Sequence, residues 1–150
     1  YYDDEGLSFK TGIAEKIPLE SNFFDAVINI ESARCYSNLK IFFNEVFRVL
    51  KPNGSFLFAD MIRPREINEI NQKLTDCGFK IVHKTEITPN VVEALNMDHN
   101  RRETLIEKSV PGFLVRSFKS FAGTKGTERY HSFSNGTFEY WSFVLEKEQE

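Results

Sequence analysis

The chain has 150 residues, a net charge of −3 and 41% apolar residues, which suits one globular domain with a sizeable core. That balance, with no run of like charge, offers no basic field to a nucleic-acid backbone. No apolar run approaches the ~20 residues that cross a bilayer, and Cys35 and Cys77 stand apart from any Cys-x-x-Cys or His/Cys cluster, so the expectation is a reducing, cytoplasmic setting with no metal.

The chain starts Tyr1-Tyr2-Asp3-Asp4 without an initiating methionine and reads as a piece of something longer. Gly6 to Thr11 reads as a short strand, Gly12 to Leu19 as the loop leaving it, and Glu20-Ser21-Asn22 as a turn. Asp25 to Ile30 is a nearly continuous apolar run with β-branched residues, the pattern of a parallel strand buried on both faces. Leu39, Phe42, Phe43, Val46, Val49 and Leu50 recur at helical spacing, with Ser37 or Asn38 as N-cap. Lys51-Pro52-Asn53-Gly54 stops that helix, because proline cannot continue it and Asn-Gly accepts positive φ. Ser55 to Ala59 then closes a βαβ unit.

Pro64 opens a helix whose face is Ile67, Ile70 and Leu74 and whose C-terminus is Gly78; Phe79 to Glu86 is the next strand. Thr88-Pro89 starts a helix that runs to Val110, Pro111-Gly112 breaks it, and a second helix runs to Gly123. Lys125 to Asn135 reads as a polar loop, Thr137 to Glu146 as the last strand, and Lys147 to Glu150 as a frayed end. No repeat or linker divides residues 1–150, so one domain is expected, with a helical cap at about 88–135 between the last two strands.

Ligands of parallel sheets bind beyond the carboxyl ends of the strands, which here are Glu31 to Tyr36 and Asp60 to Arg63. Glu31 and Asp60 are either acid/base groups or caps of loops. Arg34 stays protonated and suits a surface position or an anion contact better than proton transfer. His83, His99 and His131 lack metal-ligand spacing. Phe113, Phe118 and Phe121 are either the core of a helical lid or the lining of an apolar pocket.

Gly12, Ala14, Glu15 and Pro18, then Asp25 to Ile28, then Phe43, Glu45-Val46, Arg48 to Pro52, Gly54, Phe56, Leu57 and Asp60 together resemble the second half of a class I S-adenosylmethionine-dependent methyltransferase. The loop from Asn29 to Tyr36 and the run Ala59 to Arg65 are similar to the phthiotriol and phenolphthiocerol type, with macrolide-sugar O-methyltransferases as cousins. The resemblance implies an α/β fold: a partial Rossmann-like sheet of order 3-2-1-4-5-7-6, with strands three to seven here, one and two lacking, and the cap between the last two.

It also implies S-adenosylmethionine as cofactor, with Ile13, Ala14 and Glu15 on its adenine side and Asn29 and Ile30 beside its methionine moiety. Ile13 replaces the usual Asp and cannot accept a hydrogen bond from the adenine amino group. Among catalytic candidates, Asp60 matches an acidic residue that orients the base or the acceptor, Glu31 lies at the strand end, and Arg34 stands where relatives often carry a histidine base. The activity implied is methyl transfer to a hydroxyl of a small lipid-like or polyketide-like molecule. A non-catalytic remnant that binds a partner is the rival, and a dehydrogenase-like half is a third possibility; a Gly-x-Gly-x-Gly loop upstream would separate them.

Overall fold

The computed structural model describes residues 6–148. Strand β1 (Phe24–Ile30), helix α1 (Leu39–Val49) and strand β2 (Leu50–Ile62) form the expected βαβ unit. β1 and β2 are parallel, with Ile28 opposite Leu57 and Ile30 opposite Ala59. Asn38 caps α1, its Oδ1 accepting the Ile41 N–H at 3.1 Å. Phe42, Phe43, Val46 and Val49 are buried beneath it, the apolar face that the spacing predicts. β2 starts at Leu50, earlier than Ser55: Leu50 pairs with Phe24 and Ser55 with Ala26, so Lys51–Gly54 loops out as a bulge with Asn53 at φ 62°.

A 3₁₀ turn, Pro64–Glu66, leads into helix α2 (Ile67–Asp76), which buries Ile70 and Leu74. Gly78, at φ 95°, turns the chain into strand β3 (Phe79–Glu86). Four helices follow, α3 (Thr88–Met97), α4 (His99–Ser109), α5 (Gly112–Ala122) and α6 (Glu128–Ser134), before strand β4 (Glu139–Lys147). Among the described residues the sheet has the order β1-β2-β4-β3, with β4 antiparallel to both neighbours. That is the 4-5-7-6 arrangement expected for the last four strands, and the helical cap lies between the last two as expected. Helices α1 and α2 cover one face of the sheet, where Phe43, Val46, Leu74, Phe56, Phe58, Phe143 and Leu145 form the core.

Several expectations are corrected. Gly6 to Thr11 is not a strand; a lone extended segment has no ladder to satisfy its amides, and an isolated bridge between Ile13 and Lys16 is the nearest β pairing. β1 is not buried on both faces: it lies at the sheet edge with helices on one side, leaving Ile28 64% and Ile30 62% exposed. The helix expected from Thr88 to Val110 is two, parted at Asp98, whose carboxylate binds both Arg101 and Arg102. The loop from Lys125 to Asn135 contains α6, capped by the Thr127 hydroxyl and anchored by buried Phe133. Lys147 is no frayed end; it is the last residue of β4, and its ammonium donates to the Phe47 and Leu50 carbonyls, each at 2.8 Å. Phe113, Phe118 and Phe121 are exposed rather than core, because α5 turns Leu114 and Val115 inward instead.

Candidate active site

The loop after β1 is the centre of the site. Asn29 is the last buried residue of β1, its amide donating to the Tyr36 hydroxyl at 2.8 Å, and that hydroxyl donates to Ser32 Oγ at 3.0 Å. Glu31 takes a left-handed backbone conformation, φ 56°, uncommon for a residue with a side chain and a form of strain often found at functional sites. Its N–H donates to the Ala59 carbonyl at 2.9 Å, extending the β1–β2 ladder by one bond. A 3₁₀ turn, Ala33–Cys35, follows.

Asp60, at the carboxyl end of β2, is 2% exposed. Its Oδ2 accepts the Ala33 N–H at 3.0 Å and its Oδ1 the Met61 N–H at 2.8 Å. Burial raises the Asp60 carboxyl above its ordinary value, and these amides and the positive charge of Arg34 work against that rise. Asp60, Glu31 and Arg34 are thus brought together around one loop, with Asp60 holding the loop from beneath. The Tyr140 hydroxyl, on β4 opposite Met61, donates to Glu31 Oε1 at 2.7 Å. Burial and the neighbouring carboxylate push the Tyr140 phenol well above its usual range, so it stays protonated.

A cavity of about 420 Å³ opens between this loop and the cap, a size usual for small-molecule sites. Met61, Val91, Leu95, Phe121 and Phe133 supply apolar walls, and Glu31, Arg34, Arg102, Arg129 and Tyr140 supply the charged and polar ones. Arg102 is committed to Asp98 and to the Ala122 carbonyl, each at 2.8 Å. Arg129 donates to the Phe121 carbonyl at 3.1 Å and lies over the Phe121 ring.

The residues expected at the cofactor divide between the loop before β1 and the end of β1 itself. Ile13 is 64% exposed, and Ala14 packs against the core. Glu15 Oε1 accepts the Ser37 N–H and hydroxyl at 2.7 Å and the Asn38 N–H at 3.2 Å, so its carboxylate ties the two loops together at the start of α1. Those bonds, the Ser37 hydroxyl first, hold the Glu15 carboxyl below its ordinary value. Ile30 points outward from β1, whereas Asn29 Oδ1 is buried with no partner among the described residues. The Glu45–Arg48 pair of the sequence motif clamps the same region: Arg48 donates to the Ile17 and Leu19 carbonyls at 3.0 and 2.8 Å, and Glu45 accepts the Ile17 N–H at 2.8 Å. No cluster of His, Cys, Asp and Glu among the described residues could hold a metal ion. None of their helices is long and apolar enough to cross a membrane.

Tyr140, Arg102 and Arg129 escaped the sequence reading. Tyr140 meets a carboxylate 109 residues away, and only the β2–β4 register shows it. For Arg129, the Thr127 cap with Tyr130 and Phe133 at helical spacing was a usable signal of α6.

The sequence model of one family, described as a methyltransferase domain, matches residues 2–58. Phthiotriol/phenolphthiotriol dimycocerosates methyltransferase of Mycobacterium tuberculosis is 29% identical over 143 residues, covering 95% of this chain and 53% of that protein. Fatty-acid O-methyltransferase of Mycolicibacterium smegmatis is 30% identical over 146 residues, covering 97% and 52%. The chain thus spans about half the length of the curated relatives it matches. Among solved structures, phosphoethanolamine N-methyltransferase 2 of Haemonchus contortus, in complex with phosphomonomethylethanolamine and S-adenosylhomocysteine, superposes with a TM-score of 0.76 at 17% identity, covering 91% of this chain and 36% of that one. The chain resembles the class I methyltransferases in sequence and in fold, as its motifs imply.

Proposed function

We propose that this chain is part of an S-adenosylmethionine-dependent O-methyltransferase acting on a small lipid-like molecule. The observation that carries this reading is the coincidence of the methyltransferase-domain match over residues 2–58 with a cap cavity that Glu31 and Arg34 of that same segment line. The names of the relatives, a dimycocerosates methyltransferase and a fatty-acid O-methyltransferase, support an acceptor of lipid character. Alcohol hydroxyls and carboxylates are both oxygen acceptors of that kind; a hydroxyl is what the sequence motifs imply.

The cofactor is S-adenosylmethionine, which when bound supplies a methyl group activated on a positively charged sulfur. Residues at the end of β1 fit such a group: the buried Asn29 Oδ1 lacks a hydrogen bond among the described residues, which a bound polar group would supply. Ile13 and Ile30 are both exposed apolar residues. Glu15, engaged by Ser37 and Asn38, ties the loop that carries Ile13 to the start of α1. Asp60 acts as a positioning residue that holds the 31–36 loop, and Glu31 and Tyr140 orient the acceptor. Holding an acceptor in line is the larger contribution to such a transfer, and a base adds about 10²–10⁴-fold where one is present.

The test is made on the protein captured from its natural source. Its intact mass is recorded, and S-adenosylhomocysteine is titrated into it by calorimetry. Saturable binding supports the methyltransferase; its absence removes the enzyme and favours a non-catalytic binding protein.

A further inference from the structure

We propose that helix α5 is a docking surface for an anionic lipid bilayer, its phenylalanines entering the headgroup boundary and the cations around it meeting the lipid phosphates and carboxylates. The inference goes beyond the methyltransferase reading and does not rest on it. Three observations carry it: which side chains the helix leaves outside, how they are spaced, and the charge of the segment that holds them.

α5 buries none of its residues fully. Phe113 is 84% exposed, Phe121 73% and Phe118 46%. Exposed apolar residues scattered singly are ordinary on a protein surface, but three large rings on one helix of 11 residues form a patch of the kind that marks an interaction site. Phe113, Ser117 and Phe121 recur every four residues and so share one side of the helix, and Phe118, three residues before Phe121, adjoins it. The opposite side is already taken. There Lys119 reaches back to α4 and pairs with Glu103 at 2.9 Å and with Glu107 at 2.7 Å. The side that carries the rings is therefore the one left for a partner.

Charge selects the partner. From Lys108 to Ser134 the chain carries Lys108, Arg116, Lys119, Lys125 and Arg129 against the single carboxylate of Glu128, although the whole chain has a net charge of −3. Lys119 is neutralised by α4, whereas Lys108, Arg116 and Lys125 have no ion pair or hydrogen bond among the described residues. Arg116, Arg129 and His131 line a groove between α5 and α6, with Glu128 as the opposing charge. Rings on one side of a helix with cations around them are the composition of a helix that lies in a membrane interface, where long Lys and Arg stems keep the charged heads at the level of the phosphates while the rings sit deeper. Each such cation strengthens binding to an anionic surface by about 5-fold, and the attraction fades within a Debye length. A second copy of the chain is a poorer occupant, because a symmetric contact through this face would set the cations against their own images.

The experiment measures co-sedimentation of the captured protein and its variants with vesicles of phosphatidylserine and phosphatidylcholine in equal parts, and separately with vesicles of phosphatidylcholine alone. Binding is expected to be at least ~10-fold tighter to the anionic vesicles and to weaken as salt is raised. Phe113→Ser combined with Phe118→Ser, and separately Arg116→Gln combined with Lys125→Gln, are each expected to weaken it by ~10-fold or more. Ile28→Ser, which removes a comparably exposed apolar group from β1, is expected to leave it unchanged. Equal binding to the two kinds of vesicle, or no binding to either, would overturn the proposal. So would indifference to both pairs of α5 changes, or a loss as large in Ile28→Ser, in variants that melt like the parent. A dimer in sedimentation velocity that the phenylalanine changes dissociate while vesicle binding persists would also overturn it, and would make this face a contact between two copies of the chain.

Discussion

Asp60 shows how a residue of the motif can hold a loop from beneath the sheet's end. Its two oxygens each accept a backbone N–H, one from the 31–36 loop and one from β2 itself. Asparagine keeps a single acceptor oxygen, so Asp60→Asn leaves one buried amide unpaired, at a cost of about 1–3 kcal/mol. Urea denaturation should show that loss. Because burial raises this carboxyl in the folded state, its contribution to stability is fully present below the ordinary value of 3.8 and is lost as pH rises through the higher folded value. That segment of the stability–pH curve should vanish in Asp60→Asn; a curve of unchanged shape would mean that Asp60 ionises as freely as in the unfolded chain. Gly54 gives a second residue-scale test. A Cβ there would lie 2.8 Å from the Lys51 carbonyl oxygen and 3.2 Å from that of Asp25, both backbone atoms that cannot swing aside. Gly54→Ala should therefore destabilise the fold by about 1–3 kcal/mol, read as a lower denaturation midpoint at constant slope.

The elements differ in what they have to lose. α1 seals the core with side chains that are wholly enclosed, so Phe43→Ala should cost about 3–5 kcal/mol. β1 faces solvent on its other side, and Ile28→Ser, at a position 64% exposed, should cost under about 1 kcal/mol despite removing an equally apolar group. Thermal melts of the pair would decide it: comparable losses would mean that the outer side of β1 is covered in solution. In the cap, Asp98 terminates α3 and grips Arg101 and Arg102, which hold its carboxyl down at about 2. A depressed carboxyl contributes stability that is present above its ordinary value of 3.8 and lost as pH falls toward 2. Cap unfolding, followed by helical circular dichroism, should therefore advance in that window, and Asp98→Asn should remove the dependence.

At the scale of the whole molecule, the sheet and the cap are held with different security. β2 and β4 lie at the centre of the sheet with Phe56, Phe58, Phe143 and Leu145 buried, whereas α3 and α5 bury no residue fully. Regions with few buried contacts open locally at lower free energy than the core. Hydrogen exchange should accordingly release the α3 and α5 amides well before those of α1, β2 and β4. Simultaneous exchange would make the cap part of one cooperative unit. A cap that opens on its own also opens the cavity that Leu95 and Phe121 line.

Local patterns alone determined the βαβ unit, the strand at Phe79–Glu86, the glycine stops at 78 and 123 and the placement of Glu31 and Asp60 at the ends of two strands. Helical spacing, proline and positive φ act within a few residues, so no tertiary information was needed. The same local rules failed where a partner decides the outcome. Gly6 to Thr11 has strand-like composition but no neighbouring ladder, β1 has a buried strand's sequence at an exposed edge, and α6 is polar enough to pass for a loop until Phe133 finds the interior. The site divides along the same line. Asp60, Glu31 and Arg34 were legible because the strand ends that carry them follow from periodicity. The contact between Tyr140 and Glu31 and the cavity that Arg34 and Arg129 line exist only once β4 has inserted beside β2 and the cap has folded over them, since register and the pairing of distant groups are properties of the packed chain.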